Sequence, residues 1–310
     1  MITSSHELNR IRENVVDYTV GYLVEYPNIK SLVLGVSGGA DSAAVGLLAQ
    51  EVCERCKTQL DRDIKLIGRS LIIEVNTQEE IDRAEKLGKL FCNDFRTMDL
   101  TSTYYGLINN IELPMEEALT HTYADKIRLG NIKARLRMIQ LYHLAHVNQG
   151  LVLSTDNLTE YKLGFWTIHG DVGDYGMIQN LWKTEVYGIL KQYYNFSPVN
   201  SDKRRTIRSV IEAVPTDGLG ITDSDLDQFG DVESYEEVDK ILEEYSNGKF
   251  PDIVKRGGQI SQVLTMYENT HYKRENPYSI SRKNLLESVH GINPRFPNKI
   301  DFIDGGADRR

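Results

Sequence analysis

Short apolar runs alternate along the chain with longer segments whose apolar residues recur every three or four positions. SLVLGV (31–36), IKLIGRSLIIEV (64–75) and GLVLSTDN (150–157) read as strands buried on both faces, and FRTMDLT (95–101) as a further strand. SSHELNRIRENVVDYTVGYLVEY (4–26) places Leu8, Ile11, Val15, Tyr18 and Tyr22 at helical spacing, with Ser4 and Glu7 set as a capping box and Pro27 as a stop. Val45, Leu48 and Val52 mark the inner stripe of the next helix, and TQEEIDRAEKLGKLF (77–91) reads as another. GNIKARLRMIQLYHLAHVNQ (130–149), with Asn131 as its expected cap, and NLWKTEVYGILKQYY (180–194) complete the helical pattern. Strand and helix alternate at intervals too long for hairpins. That predicts an α/β fold, a doubly wound and mainly parallel sheet with helices on both faces.

Composition narrows the function classes. The 310 residues are 40% hydrophobic and carry a formal net charge of −9, which offers no basic footprint for nucleic acid or anionic membrane. No apolar run approaches the ~20 residues of a membrane-spanning helix. MITSSHELNRIREN lacks the apolar core of a signal peptide, and three cysteines do not make a disulfide framework. A reduced, cytoplasmic setting is expected. One domain over 1–310 is expected too, with its core at about 5–280. Residues 195–250 form an extended loop and helix region, and 281–310 form a C-terminal tail. The 195–250 region holds the basic SDKRRTIRS, the loop PTDGLGITDSDLDQFGD and the acidic helix SYEEVDKILEEY.

The candidate chemistry starts where the first strand ends. GVSGGADS (35–42) follows a buried strand and opens a helix. In an open parallel sheet, ligands bind beyond the carboxyl ends of the strands. Glycines there let main-chain N–H groups close around an anion, and the helix N-terminus adds partial positive charge. The spacing is not GxGxxG, and the lysine of the ATPase phosphate loop is missing. Ser37 and Ser42 can donate to phosphate oxygens, and Asp41 can hold a phosphate-bridging Mg²⁺.

SGGADS resembles the pyrophosphate loop of ATP pyrophosphatases, the adenine nucleotide alpha-hydrolase type. Further motifs follow in the order they take in the ammonia-dependent NAD synthetase family: GNIKARLRM (130–138), LVLSTDNLTE (151–160), GDVGD (170–174), Lys183, PTDGL (215–219) and HYKRENP (271–277). The resemblance covers roughly residues 5 to 280. It implies ATP-dependent amidation of deamido-NAD to NAD with ammonia, through an NAD-adenylate, releasing AMP and pyrophosphate. Mg²⁺ is the implied cofactor, ATP the co-substrate and a homodimer the implied assembly. No glutaminase segment is apparent, so free ammonia is the expected donor. Carried over position by position, Gly35, Val36, Ser37, Gly38, Gly39, Ala40, Asp41 and Ser42 match the loop that holds ATP phosphates. Thr155, Lys183 and Thr216 match further ATP contacts. Asp41 and Glu160 match the metal ligands. Arg135, Asp171, Asp174, Tyr272 and Lys273 match contacts to deamido-NAD. Asp41, Lys183 and Asp171 are the residues expected to carry catalysis.

The chain departs from the family pattern near the nicotinate side. TIHGD puts Ile168 and His169 where a lysine is usual, and His169 is the candidate replacement. The span from Asp171 to Lys183 is one residue short, and Tyr272 stands where His is common. Plainer readings of several residues stay open: Lys133, Arg135 and Arg137 as a solvated helix face, Glu160 as a surface acid, Asp171 and Asp174 as turn residues. Trp166, Trp182, Tyr193 and Tyr194 read as packing. The rivals are another adenylating enzyme of the superfamily, a tRNA thiolase or a GMP synthetase-like protein, and a non-catalytic nucleotide sensor. CERC (53–56) invites the thiolase, but both cysteines lie near the inner stripe of one helix and no second pair exists. DSDLDQFG (223–230) has its Gly at the eighth position, not the sixth, and is rejected as a calcium loop.

Overall fold

Strand β1 (Ser31–Gly35) is apolar on both sides, and the fold uses both. Leu32 and Leu34 enter one buried cluster, while Val33 between them enters a second on the opposite face. The computed structural model describes residues 3–74, 76–111, 122–216, 218–222, 224–230, 232–248 and 262–275. Strands β2 (Lys65–Ile72), β3 (Asp94–Asp99) and β4 (Gly150–Val152) join β1 in one parallel sheet of order β3–β2–β1–β4. Ser31 registers against Lys65 on one side and Gly150 on the other. The chain therefore builds outward from β1 to β3 and then returns to the far side of β1. That reversal makes the carboxyl ends of β1 and β4 a topological switch point.

Helices α1 (Ser5–Glu25), α2 (Ala40–Leu60) and α3 (Gln78–Phe91) cover one face of the sheet. Helix α4 (Thr101–Ile108) leads toward α5 (Tyr123–Val147), which covers the other face through Met138, Leu141 and Ala145. Helix α6 (Leu158–Leu163) is followed by α7 (Lys183–Phe196) and α8 (Asp202–Ile211), which pack on the α1 side. Beyond a 3-10 turn at Asp225–Gln228, α9 (Tyr235–Ser246), α10 (Gln262–Asn269) and α11 (His271–Arg274) follow. Leu163, Phe229, Tyr235, Val238, Leu242 and Val263 form a side cluster beside the site. Among the described residues, no helix is long and apolar enough to cross a membrane.

Several expectations need correction. Helix α5 starts at Tyr123 with Thr122 and Asp125 as a capping box, so Asn131 sits mid-helix and does not cap it. Asn131 Oδ1 instead accepts the Thr167 hydroxyl at 2.7 Å. The expected α1 stripe holds at Ile11 and Val15, which pack against the core, but the fully buried positions are Val16, Thr19 and Leu23, and Tyr18 is 78% exposed. Thr19 tolerates burial because its hydroxyl donates to Val15 O and accepts from Tyr175. The fourth strand stops at Val152, three residues long, before a single bridge from Leu153 to Tyr175.

The basic segment becomes α8, whose Thr206, Ile207 and Val210 face inward. Arg205 pairs with Asp202, Arg208 with Glu212, and Arg204 stacks 4.2 Å over the Tyr194 ring. Cys53 and Cys56 lie in or against the α2 core, and burial pushes the Cys53 thiol up to about 12. Such a thiol is a poor nucleophile.

Candidate active site

The glycine loop is folded by its own hydroxyls. Ser42 Oγ donates to Gly39 O and lies 3.1 Å from Ser37 Oγ, which accepts the Gly39 N–H. Gly38 has φ +88°, and a Cβ there would lie 2.7 Å from Glu80 O in the first turn of α3. Only glycine allows the main chain this close. Ala40 begins α2, so the loop presents a helix N-terminus to whatever sits above it.

Three segments meet over that loop. Lys183, the first residue of α7, places Nζ 2.5 Å from Asp41 Oδ2 and 3.0 Å from Glu160 Oε1. Asn157 Nδ2 donates to the other Asp41 oxygen at 2.9 Å, and its own Oδ1 accepts the Glu160 N–H as the cap of α6. Lys183 is 3% exposed, so this ammonium carries its charge almost out of water. Burial pulls its pKa down, but the Asp41 and Glu160 carboxylates outweigh that and hold it well above the ordinary lysine range. Burial and the Asp41 charge push Glu160 upward against the pull of Lys183. A divalent cation between Asp41 and Glu160 would favour the ionised form of both carboxyls, which burial and their mutual repulsion now oppose.

The cluster opens into a cavity of about 460 Å³ at the switch point. Gly35, Val36, Ser37, Gly39, Ala40, Asp41, Ser42, Thr155, Glu160, Asp171, Lys183, Thr216 and Lys273 all reach its wall. Gly38 does not line it. The Thr216 hydroxyl donates to Glu80 Oε1 at 3.0 Å, tying the 215–216 segment to the α3 side of the loop. Asp171 takes the Thr167 N–H at 2.9 and 3.0 Å, yet burial lifts it to about 7. Lys273 Nζ donates to Gly164 O and Trp166 O at 2.6 Å each, beside the Trp166 ring.

Arg135, His169, Asp174 and Tyr272 fall outside that wall. Arg135 donates twice to Ile168 O, and exposed His169 takes a positive φ of 57°. Asp174 accepts the Val152 N–H at 2.9 Å and the Tyr142 hydroxyl at 3.1 Å, fastening the segment beside β4. Asp217, Asn276 and Pro277, which complete the quoted motifs, lie outside the described residues, as does the 281–310 tail.

Other wall residues carried no role in the sequence reading. Asp156, next to Thr155, is buried, accepts the Ser154 hydroxyl at 2.8 Å, and is lifted to about 8 by burial and by Asp171. Arg137, not Arg135, reaches the wall, donating to Leu71 O at 3.1 Å and to Gly218 O at 3.2 Å. Lys133 is buried against Glu74 at 3.1 Å. Lys133, Arg135 and Arg137 are therefore not a uniformly solvated face.

Asp41 and Glu160 also answer whether the site suits a magnesium ion. They are hard oxygen donors from distant segments, aimed at one cation, with the lysine ammonium standing in that position. Mg²⁺ binds through one or two carboxylates plus phosphates and water, so this set fits it. Among the described residues no cluster of three or more His, Cys, Asp or Glu forms a metal cage unaided.

Residues 11–277 match the family model for NAD synthase. The chain belongs to the NAD synthase family. The NH₃-dependent NAD⁺ synthetase of Thermoplasma acidophilum is 31% identical over 259 residues, covering 82% of this chain and 91% of that protein. The Finegoldia magna protein of the same name is 33% identical over 234 residues, 75% of this chain and 84% of its own. Among solved structures, an NMN synthetase from Francisella tularensis aligns with TM-score 0.64 at 21% identity, over 93% of this chain and 99% of that one. An NH₃-dependent NAD synthetase from Campylobacter jejuni aligns with TM-score 0.60 at 21% identity, over 86% and 94%. These structures share the doubly wound α/β fold expected from the strand–helix alternation. The expected activity, an ATP-using and ammonia-dependent ligase of NAD formation, is that of the family this NAD synthase-type chain falls in.

Proposed function

We propose that the chain adenylates the nicotinate carboxylate of deamido-NAD with ATP and then lets ammonia displace AMP to give NAD. The observation that carries this reading is the convergence of Lys183, Asp41 and Glu160 on one point above an amide-lined loop at the switch point. A carboxylate is a poor acyl donor because oxide is a poor leaving group; AMP leaves readily. Catalysis then rests on positioning and charge neutralisation. The loop amides of 37–42 hold the phosphates that depart as pyrophosphate, and Thr155 and Thr216 contact ATP. Lys183 supplies the positive charge that the loop lacks. Asp41 and Glu160 would hold Mg²⁺, which when bound supplies charge neutralisation at the phosphates. Asp171, with its proton affinity near neutrality, is matched to take a proton from ammonium.

A homodimer belongs to the same proposal. Arg135, His169, Asp174 and Tyr272 keep their assignment to the dinucleotide, and their place outside the cavity wall suits a substrate that extends beyond one subunit. Exposed Ile139 and Val147 on α5 offer apolar surface for a second copy. A single domain and a cytoplasmic setting complete the reading.

The test mixes the protein with ATP, Mg²⁺, ammonium and deamido-NAD and follows all nucleotides. Matched formation of NAD, AMP and pyrophosphate supports the reading. ADP release, or ATP hydrolysis indifferent to deamido-NAD, overturns it. Nicotinate mononucleotide belongs in a parallel reaction because one structural neighbour is an NMN synthetase. Faster amidation of the mononucleotide would move the acceptor assignment to it.

A further inference from the structure

Helix α9 is the acidic SYEEVDKILEEY segment, and its inward face points at the lysine just described. Tyr235 and Asp239 stand four residues apart, so they share one face of the helix. Asp239 is buried. One of its oxygens accepts the Thr159 hydroxyl, whose own Oγ1 accepts the Lys183 N–H at 2.9 Å. The other accepts the Thr184 N–H at 3.0 Å. Asp239 thus engages the first two amides of α7, one directly and one through Thr159. A carboxylate at a helix N-terminus is favourably placed for both charge and hydrogen bonding.

Tyr235 acts on the other end of the same lysine. Its ring centroid lies 5.1 Å from Lys183 Nζ, a cation–π distance. The ring is fixed in turn, because its hydroxyl donates to buried Asp225 Oδ2 at 3.0 Å. Val238 and Leu242 of α9 pack with Leu163 of α6 in the side cluster, which keeps α9 seated.

We propose that α9 is the support that sets the reach of the Lys183 ammonium: Asp239, through Thr159 and Thr184, fixes where α7 begins, and Tyr235 fixes where Nζ points. Thr159, Asp239 and Tyr235 are positioning residues. The inference rests on the reading of Lys183 as the phosphate-facing lysine. A long flexible side chain needs such a double hold, since a misplacement of ~1 Å at a reacting group costs up to ~100-fold in rate.

The experiment compares the full chain with Thr159→Val, Thr159→Ser, Tyr235→Leu and Tyr235→Phe. Melting temperature, KM for ATP, KM for deamido-NAD and kcat are measured, and Mg²⁺ pyrophosphate is titrated by calorimetry. Thr159→Val, of similar shape but without the hydroxyl, is expected to weaken pyrophosphate binding and kcat/KM for ATP about tenfold. KM for deamido-NAD should change less than about twofold, and Thr159→Ser should restore the parent values. Tyr235→Leu should show the same ATP-side loss, and Tyr235→Phe, which keeps the ring, a smaller one. If Thr159→Val fails to fold, the Tyr235 pair decides. Folded Thr159→Val and Tyr235→Leu proteins with parental ATP kinetics and pyrophosphate affinity overturn the proposal, as does a melting-temperature loss with no kinetic change. Absence of NAD formation by the parent chain overturns the proposed function instead, and the pyrophosphate titration still decides the positioning role.

Discussion

Lys183 Nζ and Asp41 Oδ2 lie 2.5 Å apart although 142 residues separate them in the chain. The contact joins the first turn of α2 to the first turn of α7, so two helix N-termini and one ion pair surround the same point. Asp41→Asn keeps the shape and the Asn157 contact while removing the charge. We expect at least a 100-fold loss of pyrophosphate release, on the order of one lost electrostatic stabiliser in a preorganised site. The check is single-turnover pyrophosphate release together with a circular dichroism spectrum unchanged from the parent. Near-parental turnover removes Asp41 from the phosphate and metal site.

The same pair gives a stability prediction of its own. Lys183→Met fills the space but leaves Asp41 and Glu160 facing each other with no cation. Breaking one side of a buried ionic cluster costs roughly 3 kcal/mol. We expect that loss by urea unfolding in chelator, with part of it recovered on adding Mg²⁺, because the ion then takes the place of the ammonium. Mg²⁺ should raise the melting temperature of the variant more than that of the parent. A variant indifferent to Mg²⁺ excludes Asp41 and Glu160 as its ligands.

Asp156 and Asp171 make stability fall with rising pH. Both carboxyls have their pKa raised in the folded chain, to about 8 and about 7, chiefly by burial. The folded state therefore holds protons that the unfolded state gives up near pH 4. Their contribution is fully present below about pH 4 and is lost as pH climbs through about 7 to 8. Asp156→Asn removes one of these titrations. The variant should gain on the parent by at least about 1 kcal/mol between pH 5 and pH 8.5, measured by urea unfolding without Mg²⁺ or nucleotide. Parallel pH profiles of parent and variant contradict this.

How much of this was legible in the chain depends on whether a signal is local. The parallel sheet announced itself through continuous apolar strands, and the Ser4–Glu7 capping box appears as expected. Glycine loop, Glu160 and Lys183 could be placed together because their motifs fall in a recognisable order. Asn131 misled because an Asn before an apolar run looks like a cap, while the competing Thr122–Asp125 box lies upstream in a segment with weaker periodicity. In α1 the buried place expected for Tyr18 belongs to Thr19, which is polar by type yet satisfied in place by Val15 and Tyr175. Nothing in SYEEVDKILEEY pointed to Lys183. Tyr235 and Asp239 meet α7 across more than 50 residues, and such contacts leave no pattern in either segment. Arg135 and Arg137 show the same limit: alternate residues on a helix point well apart, and the sequence alone does not tell which one meets the cavity.

Gly38 offers the sharpest test of how the loop is held. Its φ of +88° is unfavourable for any side chain, and a new Cβ would lie 2.7 Å from Glu80 O and 3.2 Å from Ala84 N. Those are main-chain atoms of α3, so no rotamer change relieves the contact. Gly38→Ala must push the loop off α3, at a cost of about 1–3 kcal/mol. Moving the loop also moves the Gly39 and Ala40 amides that open α2, so ATP and pyrophosphate affinity should drop about tenfold. Gly106→Ala is the matched control: that glycine lies within α4, a Cβ there meets nothing within 4 Å, and alanine should stabilise by about 0.5–1 kcal/mol. Urea unfolding and Mg²⁺ pyrophosphate calorimetry on both variants check the pair. Should Gly38→Ala bind pyrophosphate as tightly as the parent, the loop amides are not what holds the departing phosphates.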